Sequence, residues 1–265
     1  MPISGLPVAW SEQNSSSVVV AVIDSGIDLD HEDLQGVFVN TGYDFCPASG
    51  CSGSDADPRP NSNSDVHGTH VTGTIAAVGN NSQGVAGVLY GGARIVPIKT
   101  FPSGTEGATA EAIAQSLRWA VGLSVSGVPD NDDPAQIINL SLGGPGDSTT
   151  VENAVRDVQA EGALLIAASG NAGGNTLFVP ARYDGVFAVG SVNSDFRRSC
   201  FSNFGSGLDI MAAGGDAAPP NVTCDQPVTN ERSRTTPVTI MGSNRHRCYP
   251  DRLLGSLAPC GNSRC

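Results

Sequence analysis

Hydrophobic residues follow two alternating patterns along this chain. Short apolar runs rich in β-branched residues predict buried parallel strands over residues 17–23, 93–99, 136–142, 163–168 and 186–190. Apolar residues at helical spacing predict helices over residues 109–122 and 149–161, and a small-residue segment after His67 predicts another. Because strands and helices alternate, we expect an α/β fold, a doubly wound and mostly parallel sheet with helices on both faces.

These patterns stop near residue 215. The 265 residues and 33 glycines suit one α/β domain with many tight turns between strands and helices. We assign that domain to residues 1–215. Residues 216–265 are rich in arginine and proline and lack helical periodicity, so we expect a divergent, irregular tail and an incomplete domain core.

Charge and hydropathy narrow the classes of partner. A formal net charge of -12 argues against nucleic acid, because its phosphates would be repelled. No run of eighteen apolar residues predicts a membrane span. No basic segment with an apolar core of the signal-peptide type follows Met1, so we expect a mature domain or a fragment.

The seven cysteines are an odd number, so they cannot all pair within one chain. Cys46 and Cys51 bracket a short loop, and they are predicted to form a small disulfide in an oxidising compartment. Zinc binding is the alternative, although no CxxC spacing supports it.

Polar residues stand where predicted strands and helices meet. Asp24 directly follows the strand at 17–23, Asn171 follows the strand at 163–168, and His67 begins a helix. Because the carboxyl ends of parallel strands meet at one edge of a sheet, a carboxylate there is well placed to orient a histidine. The alternatives are an Asp24 turn cap, a metal held by His67 and His70, and a simple turn at Asn171.

Four motifs resemble those of the subtilisin-like serine proteases, or subtilases, and they occur in the order of that family. They are DSGID at Asp24, HGTHVTG at His67, NLSLGG at Asn139 and ASGN at Ala168. The resemblance implies a serine endopeptidase with an Asp/His/Ser triad that acts on proteins or peptides. In it Asp24 would orient His67, His67 would be the base, and Asn171 would donate its amide N–H to the oxyanion.

The resemblance also implies binding sites. The segment Ser141, Leu142 and Gly143 would pair with the backbone of the substrate, and Ala168, Ser169 and Gly170 would form the facing wall of the specificity pocket.

Asp33 and Asn81, in and beside the loop 78–85, would hold a structural calcium, with an ordinary surface loop as the alternative. The chemistry itself requires no cofactor. From the family we expect an extracellular protein that acts as a monomer.

The nucleophile is the one unmatched part of the resemblance. The family carries it in a Gly-Thr-Ser-Met-Ala motif that opens a long helix, and the sequence of residues 216–265 shows neither that motif nor helical periodicity. Ser256, within LGSLAP, is the nearest candidate, and Ser243 is the second. Three accounts stay open: a truncated or out-of-frame end, an inactive pseudoprotease that binds peptides, and a working serine in an unfamiliar setting.

Overall fold

One parallel sheet organises the chain. The structure is a computed structural model that describes residues 6–13, 15–46, 54–62, 65–101 and 107–215. In these ranges the strands are β1 (Ser15–Asp24), β2 (Tyr43–Asp44), β3 (Gly92–Lys99), β4 (Ile137–Leu140), β5 (Leu164–Ala168), β6 (Val186–Val192) and β7 (Ile210–Ala213). The helices are α1 (Leu6–Glu12), α2 (His67–Ala76), α3 (Ala110–Ala120) and α4 (Thr149–Ala160), with a 3₁₀ turn at Glu32–Leu34.

The strand order is β2-β3-β1-β4-β5-β6-β7, and every neighbouring pair is parallel. The chain therefore winds to one side of β1 with β3 and then to the other side with β4. In such sheets the crevice for a ligand lies outside the carboxyl ends of the strands, where the winding direction changes. Asp24 is the last residue of β1, so it lies at this position.

Both faces of β1 are buried. Val19, Ala21 and Ile23 belong to a hydrophobic cluster that also contains the inner faces of α3 and α4. Val20 and Val22 belong to a second cluster, with residues of α2. Because side chains of a strand alternate between its two faces, helices cover both sides of the sheet. The predicted α/β, doubly wound fold is confirmed.

Local sequence sets the ends of the helices. Thr109 caps α3 because its hydroxyl accepts from the backbone N–H of Ala112, and Ser148 caps α4 in the same way. Gly162 follows α4 with φ of 80°, a conformation that favours glycine. Compared with the prediction, α3 is one residue shorter at its start and two at its end, and α4 is one residue shorter at its end.

Four short elements were not predicted: α1, the 3₁₀ turn at Glu32–Leu34, β2 and β7. From the sequence, residues 2–17 are expected to be an ordinary surface lead-in to the first strand. In the structure, however, the indole N–H of Trp10 in α1 donates to the carbonyl oxygen of Val88 at 2.8 Å. The Trp10 ring also packs against Tyr90 with 4.7 Å between centroids. Contacts with distant residues therefore accompany this helix, and a single-sequence pattern does not carry them.

Cys46 and Cys200 are both disulfide-bonded. Cys51 and the proposed tail 216–265 lie outside the described residues, so the pairing of Cys46 with Cys51, the irregular tail and the incomplete core stay predictions. Among the described residues, no helix has the length and apolar character needed to cross a membrane.

Candidate active site

The carboxyl end of β1 and the first residue of α2 form a hydrogen-bonded pair. His67 Nδ1 lies 2.6 Å from Asp24 Oδ1. The Asp24 side chain has no solvent exposure, whereas the His67 side chain is 27% exposed. A buried acid therefore holds one nitrogen of an imidazole whose ring still reaches solvent.

The Asp24 carboxylate is fixed by its own backbone turn. Its Oδ1 also accepts from the backbone N–H of Ser25 at 2.7 Å. Its Oδ2 is buried without a hydrogen-bond partner among the described residues. Burying a carboxylate oxygen without a hydrogen bond costs free energy. The attraction between the Asp24 carboxylate and a protonated His67 imidazole offsets part of this cost.

Close backbone packing brings α2 to this edge. A Cβ atom on Gly68 would lie 2.3 Å from the carbonyl oxygen of Gly26 and 3.1 Å from Asp24 Cβ. Only glycine permits such an approach without a shift of backbone. The glycine that follows His67 therefore sets the distance between helix and strand.

A second acid supports the same junction, and the sequence analysis did not identify it. Ser25 Oγ donates to Asp65 Oδ1 at 2.6 Å and accepts from the backbone N–H of Gly68 at 3.3 Å. Asp65 therefore connects through Ser25 to the first turn of α2. Its position two residues before His67 was the available signal, but spacing alone does not indicate which way the side chain points.

These neighbours decide the protonation of His67. Burial acts to lower the pKa of His67, while the hydrogen bond to Asp24 and the negative charges of Asp24 and Asp65 act to raise it. The net pKa is raised above the ordinary value of 6.5. The imidazole is thus held as a base of increased proton affinity.

Two further residues of the histidine motif face outward. His70 lies in the same helix and is exposed. Val66 precedes α2 with φ of −111° and a side chain that is 46% exposed. Its branched side chain is therefore accommodated in solvent with an ordinary backbone conformation.

Asn171 lies in the loop that follows β5, and it is exposed. Because β1, β4 and β5 are parallel neighbours, Asp24 at the end of β1 and Asn171 in the loop after β5 lie at the same edge of the sheet. A cavity of about 20 Å³, room for one water, is lined in part by Ser169, Asn171 and Ser202.

The segment with Ser141, Leu142 and Gly143 leaves the sheet just after β4, two residues earlier than the predicted strand end. Gly144 next to it exchanges two backbone hydrogen bonds with Val179, of 3.0 and 2.9 Å. Among the described residues, no backbone hydrogen bond occupies Leu142 or Gly143. Their main-chain groups suit pairing with an extended peptide.

The segment predicted as the facing wall is closely packed. Ser169 is buried, and its hydroxyl donates to the carbonyl oxygen of Asn203 at 3.1 Å. Gly170 has φ of 110°, and a Cβ atom there would lie 2.4 Å from the side-chain amide of Asn203. Ala168, the last residue of β5, is partly exposed.

The loop predicted to hold calcium is closed by hydrogen bonds. Asp33 is buried; Asn81 Nδ2 donates to its Oδ1 and the backbone N–H of Val85 donates to its Oδ2, both at 2.8 Å. Asn81 Oδ1 accepts from Gln83. As arranged, these groups do not fit calcium, which takes six to eight oxygen ligands. Calcium binding here stays a prediction.

The candidate nucleophiles Ser256 and Ser243 lie outside the described residues. Within the described part of the chain, no serine hydroxyl is hydrogen-bonded to His67. The structure therefore brings the predicted acid and base together, and the assignment of Ser256 or Ser243 as nucleophile stays a prediction.

Comparisons of the sequence and of the structure with known proteins relate this chain to the same class of proteases. The sequence model of the subtilase family matches residues 15–249. The chain is 39% identical over 227 residues to an extracellular protease of Xanthomonas campestris and 39% identical over 199 residues to subtilisin BL of Lederbergia lenta. These matches cover 78% and 75% of this chain. A solved protease structure from Pseudoalteromonas arctica superposes with a TM-score of 0.74 at 37% identity, over 80% of this chain and 67% of that one.

The relatives are longer proteins. The chain spans 38% of the Xanthomonas protease, 47% of a thermophilic serine proteinase from a Bacillus strain and 64% of subtilisin BL. The range matched by the family model, residues 15–249, includes Asp24, His67 and Asn171.

Proposed function

The chain belongs to the subtilase family, and on that premise we propose that it is an extracellular serine endopeptidase that hydrolyses peptide bonds in proteins. The observation that carries the proposal is the 2.6 Å contact between His67 Nδ1 and the buried carboxylate of Asp24. Similar proteins named as extracellular proteases, and two disulfide-bonded cysteines, support the location.

Amide hydrolysis by serine requires a base for the hydroxyl proton. Asp24 engages Nδ1 of His67, so Nε2 is the nitrogen that takes the proton and later returns it to the leaving amine. The imidazolium formed at that moment is stabilised by the carboxylate that already contacts it. Asp24 thus acts by orienting and stabilising His67 and keeps its own charge.

The tetrahedral intermediate carries a negative oxygen that needs hydrogen-bond donors. Asn171 supplies its side-chain N–H from the same edge of the sheet as Asp24. A donor of this kind contributes about 2.7 to 4 kcal/mol to transition-state stabilisation in a related protease. Leu142 and Gly143 hold the peptide through main-chain hydrogen bonds, which do not depend on the side chains of the substrate.

A labelling experiment would identify the nucleophile, for which Ser256 is the first candidate and Ser243 is the second. The full chain is treated with a fluorophosphonate, which reacts with an activated serine, and the labelled peptide is located by mass spectrometry. We expect label on Ser256, and we expect Ser256→Ala to lose both the label and peptide hydrolysis. Ser243→Ala is the matched control and should keep both.

His67→Ala tests whether labelling depends on the proposed base. We expect it to abolish labelling, because the serine is then not activated. Label on a different serine that also needs His67 would move the nucleophile and keep the function. Peptide binding without fluorophosphonate labelling and without turnover would instead identify a pseudoprotease and would contradict the proposal.

A further inference from the structure

Two segments pack face to face beside the candidate oxyanion donor. Residues 169–176, named here the amide loop, follow β5 and carry Asn171. Residues 200–205, named here the backing segment, lie against that loop through both backbone and side-chain hydrogen bonds. The backing segment has no assigned part in the proposed reaction.

We propose that Asn203, in the backing segment, is a positioning residue for Asn171, because it binds the backbone on both sides of that residue. The proposal rests on the proposed function, in which Asn171 donates to the oxyanion. It goes beyond that function in naming the side chain that holds the donor in place.

The side chain of Asn203 contacts three backbone groups of the amide loop. Its Oδ1 accepts from the N–H of Ala172 at 2.9 Å and from the N–H of Gly174 at 3.2 Å. Its Nδ2 donates to the carbonyl oxygen of Thr176 at 3.0 Å. One planar amide therefore fixes the course of the loop just after Asn171.

The backbone of Asn203 fixes the other side. Its N–H donates to the carbonyl oxygen of Gly170 at 2.9 Å, and its carbonyl oxygen accepts from Ser169 Oγ at 3.1 Å. Gly170 and Ala172, the two neighbours of Asn171, are thus both bound to the same residue. With both neighbours held, the Cα–Cβ direction of Asn171 has little freedom.

The chemistry of the site accounts for asparagine in particular. An acceptor must face two N–H groups while a donor faces a carbonyl oxygen, and the asparagine amide offers both. Asn203 has no solvent exposure, so water does not compete for these hydrogen bonds. Gly170 allows the loop to pack directly on the amide, since a Cβ atom there would lie 2.4 Å from Nδ2.

The backing segment is itself firmly held. Phe201 and Ser202 are buried, and Cys200 is disulfide-bonded. The N–H of Gly173 donates to the carbonyl oxygen of Phe201 at 2.7 Å, which adds a further hydrogen bond between the two segments. A donor set for an oxyanion must be held in place before reaction, and a rigid support provides that.

Amide hydrogen exchange of the full chain tests the contact without any need for turnover. In Asn203→Ala the N–H groups of Ala172 and Gly174 lose their acceptor, so we expect their exchange to rise about tenfold or more. Asn203→Asp retains the acceptor oxygen while it removes the donor and adds a carboxylate charge, so these two amides should stay protected.

Asn193→Ala is the matched control. Asn193 Oδ1 also accepts from two backbone N–H groups, those of Asp195 and Arg197, both at 3.0 Å. These belong to a different turn. We therefore expect faster exchange at Asp195 and Arg197, unchanged exchange at Ala172 and Gly174, and unchanged turnover.

Turnover separates a positioning role from a merely structural one. The oxyanion contact forms in the transition state, so Asn203→Ala should lower kcat about tenfold and leave KM nearly unchanged. In an Asn171→Ala background the same change should lower kcat less than about twofold, because the donor it positions is gone. Equal effects in both backgrounds would overturn the proposal.

The outcomes distinguish this inference from the proposed function. Unchanged exchange at Ala172 and Gly174 in Asn203→Ala overturns the inference, whatever the activity. If the chain lacks turnover, the proposed function fails, and the inference is then tested by NMR of the Asn171 side-chain amide. An ordered amide in the parent chain and in Asn193→Ala that becomes disordered in Asn203→Ala supports the inference. If Asn203→Ala does not fold, Asn203→Ser, whose short hydroxyl does not span the two N–H groups of Ala172 and Gly174, takes its place in the two backgrounds, with the same requirement for unequal effects.

Discussion

A Cβ atom on Gly68 would lie 2.3 Å from the carbonyl oxygen of Gly26. The first turn of α2 and the turn after β1 therefore meet backbone to backbone. Because His67 immediately precedes Gly68, and Asp24 lies two residues before Gly26, this approach sets the contact between the candidate base and its acid.

Gly68→Ala is expected to separate these elements. The added methyl group meets backbone atoms that cannot rotate away, so we expect a loss of about 1 to 3 kcal/mol in the free energy of unfolding. The His67 to Asp24 contact should lengthen, and the pKa of His67 should fall. Urea unfolding and NMR titration of the imidazole measure both effects.

Gly73→Ala is the control within the same helix. Nothing lies within 4 Å of a Cβ atom at Gly73. Alanine favours helix over glycine by about 1 kcal/mol, so this variant should be as stable as the parent or more stable. Equal stability of the Gly68 and Gly73 variants would contradict the close approach.

The raised pKa of His67 predicts a definite pH dependence. Burial lowers the pKa of His67, but the hydrogen bond to Asp24 and the negative charges of Asp24 and Asp65 together raise it by more. A base must be neutral to act, so activity should rise with pH through a midpoint above 6.5. Stability changes with pH in the opposite direction. The pairing of protonated His67 with Asp24 contributes fully to the free energy of unfolding below the pKa that His67 has in the unfolded chain, and this contribution is lost as pH rises through the pKa of His67 in the folded chain.

Asp65→Asn tests the part of this shift that comes from Asp65. Asparagine keeps an oxygen to accept from Ser25 Oγ but removes the charge, so the pKa of His67 should fall. NMR titration of the imidazole reads this in the full chain even without turnover. Asp132→Asn, an exposed acid that precedes the amino end of β4, should leave the titration unchanged.

Asp33→Asn is expected to destabilise the loop 78–85. The carboxylate accepts from Asn81 Nδ2 and from the N–H of Val85, and hydrogen bonds to a charged group contribute about 1.5 to 3 kcal/mol each. Because the one oxygen of the asparagine amide can accept only part of these hydrogen bonds, we expect Asp33→Asn to lower the free energy of unfolding by a value on the order of 2 to 3 kcal/mol. Asp30→Asn, whose side chain is 82% exposed, should change stability by less than about 1 kcal/mol.

Thermal melts in added calcium and in a chelator form the second arm of that experiment. Stabilisation of the parent chain by calcium, absent in Asp33→Asn, would mean that the cation replaces the N–H donors at the carboxylate. Equal melting in both solutions would mean that hydrogen bonds alone close the loop.

Much of the fold follows from local pattern. The β-branched run before Asp24 forms β1 because both faces of that strand are buried, which gives a continuous apolar run. The amphipathic segments form α3 and α4, with Thr109 and Ser148 at their caps. In contrast β7 is a four-residue strand with only one buried residue, Ala212, so it carries little periodic signal.

The candidate site divides in the same way. Asp24 and His67 are recognisable because each stands at the end of an element with a characteristic motif around it. Asp65 and Asn203 do not end a helix or strand, and the sequence around them does not show which groups their side chains contact. They act on residues from other elements, through Ser25 in one case and through the backbone of residues 170–176 in the other.

By itself the sequence determined which elements form and which residue types stand at their ends, because helix and strand periodicity and capping depend on neighbours within a few positions. Only the tertiary structure decided which of these residues touch: a hydrogen bond depends on fractions of an ångström, and those distances result from the packing of strands and helices far apart in the chain. The contact of Asp24 with His67 and the support of the amide loop by Asn203 are both of this second kind.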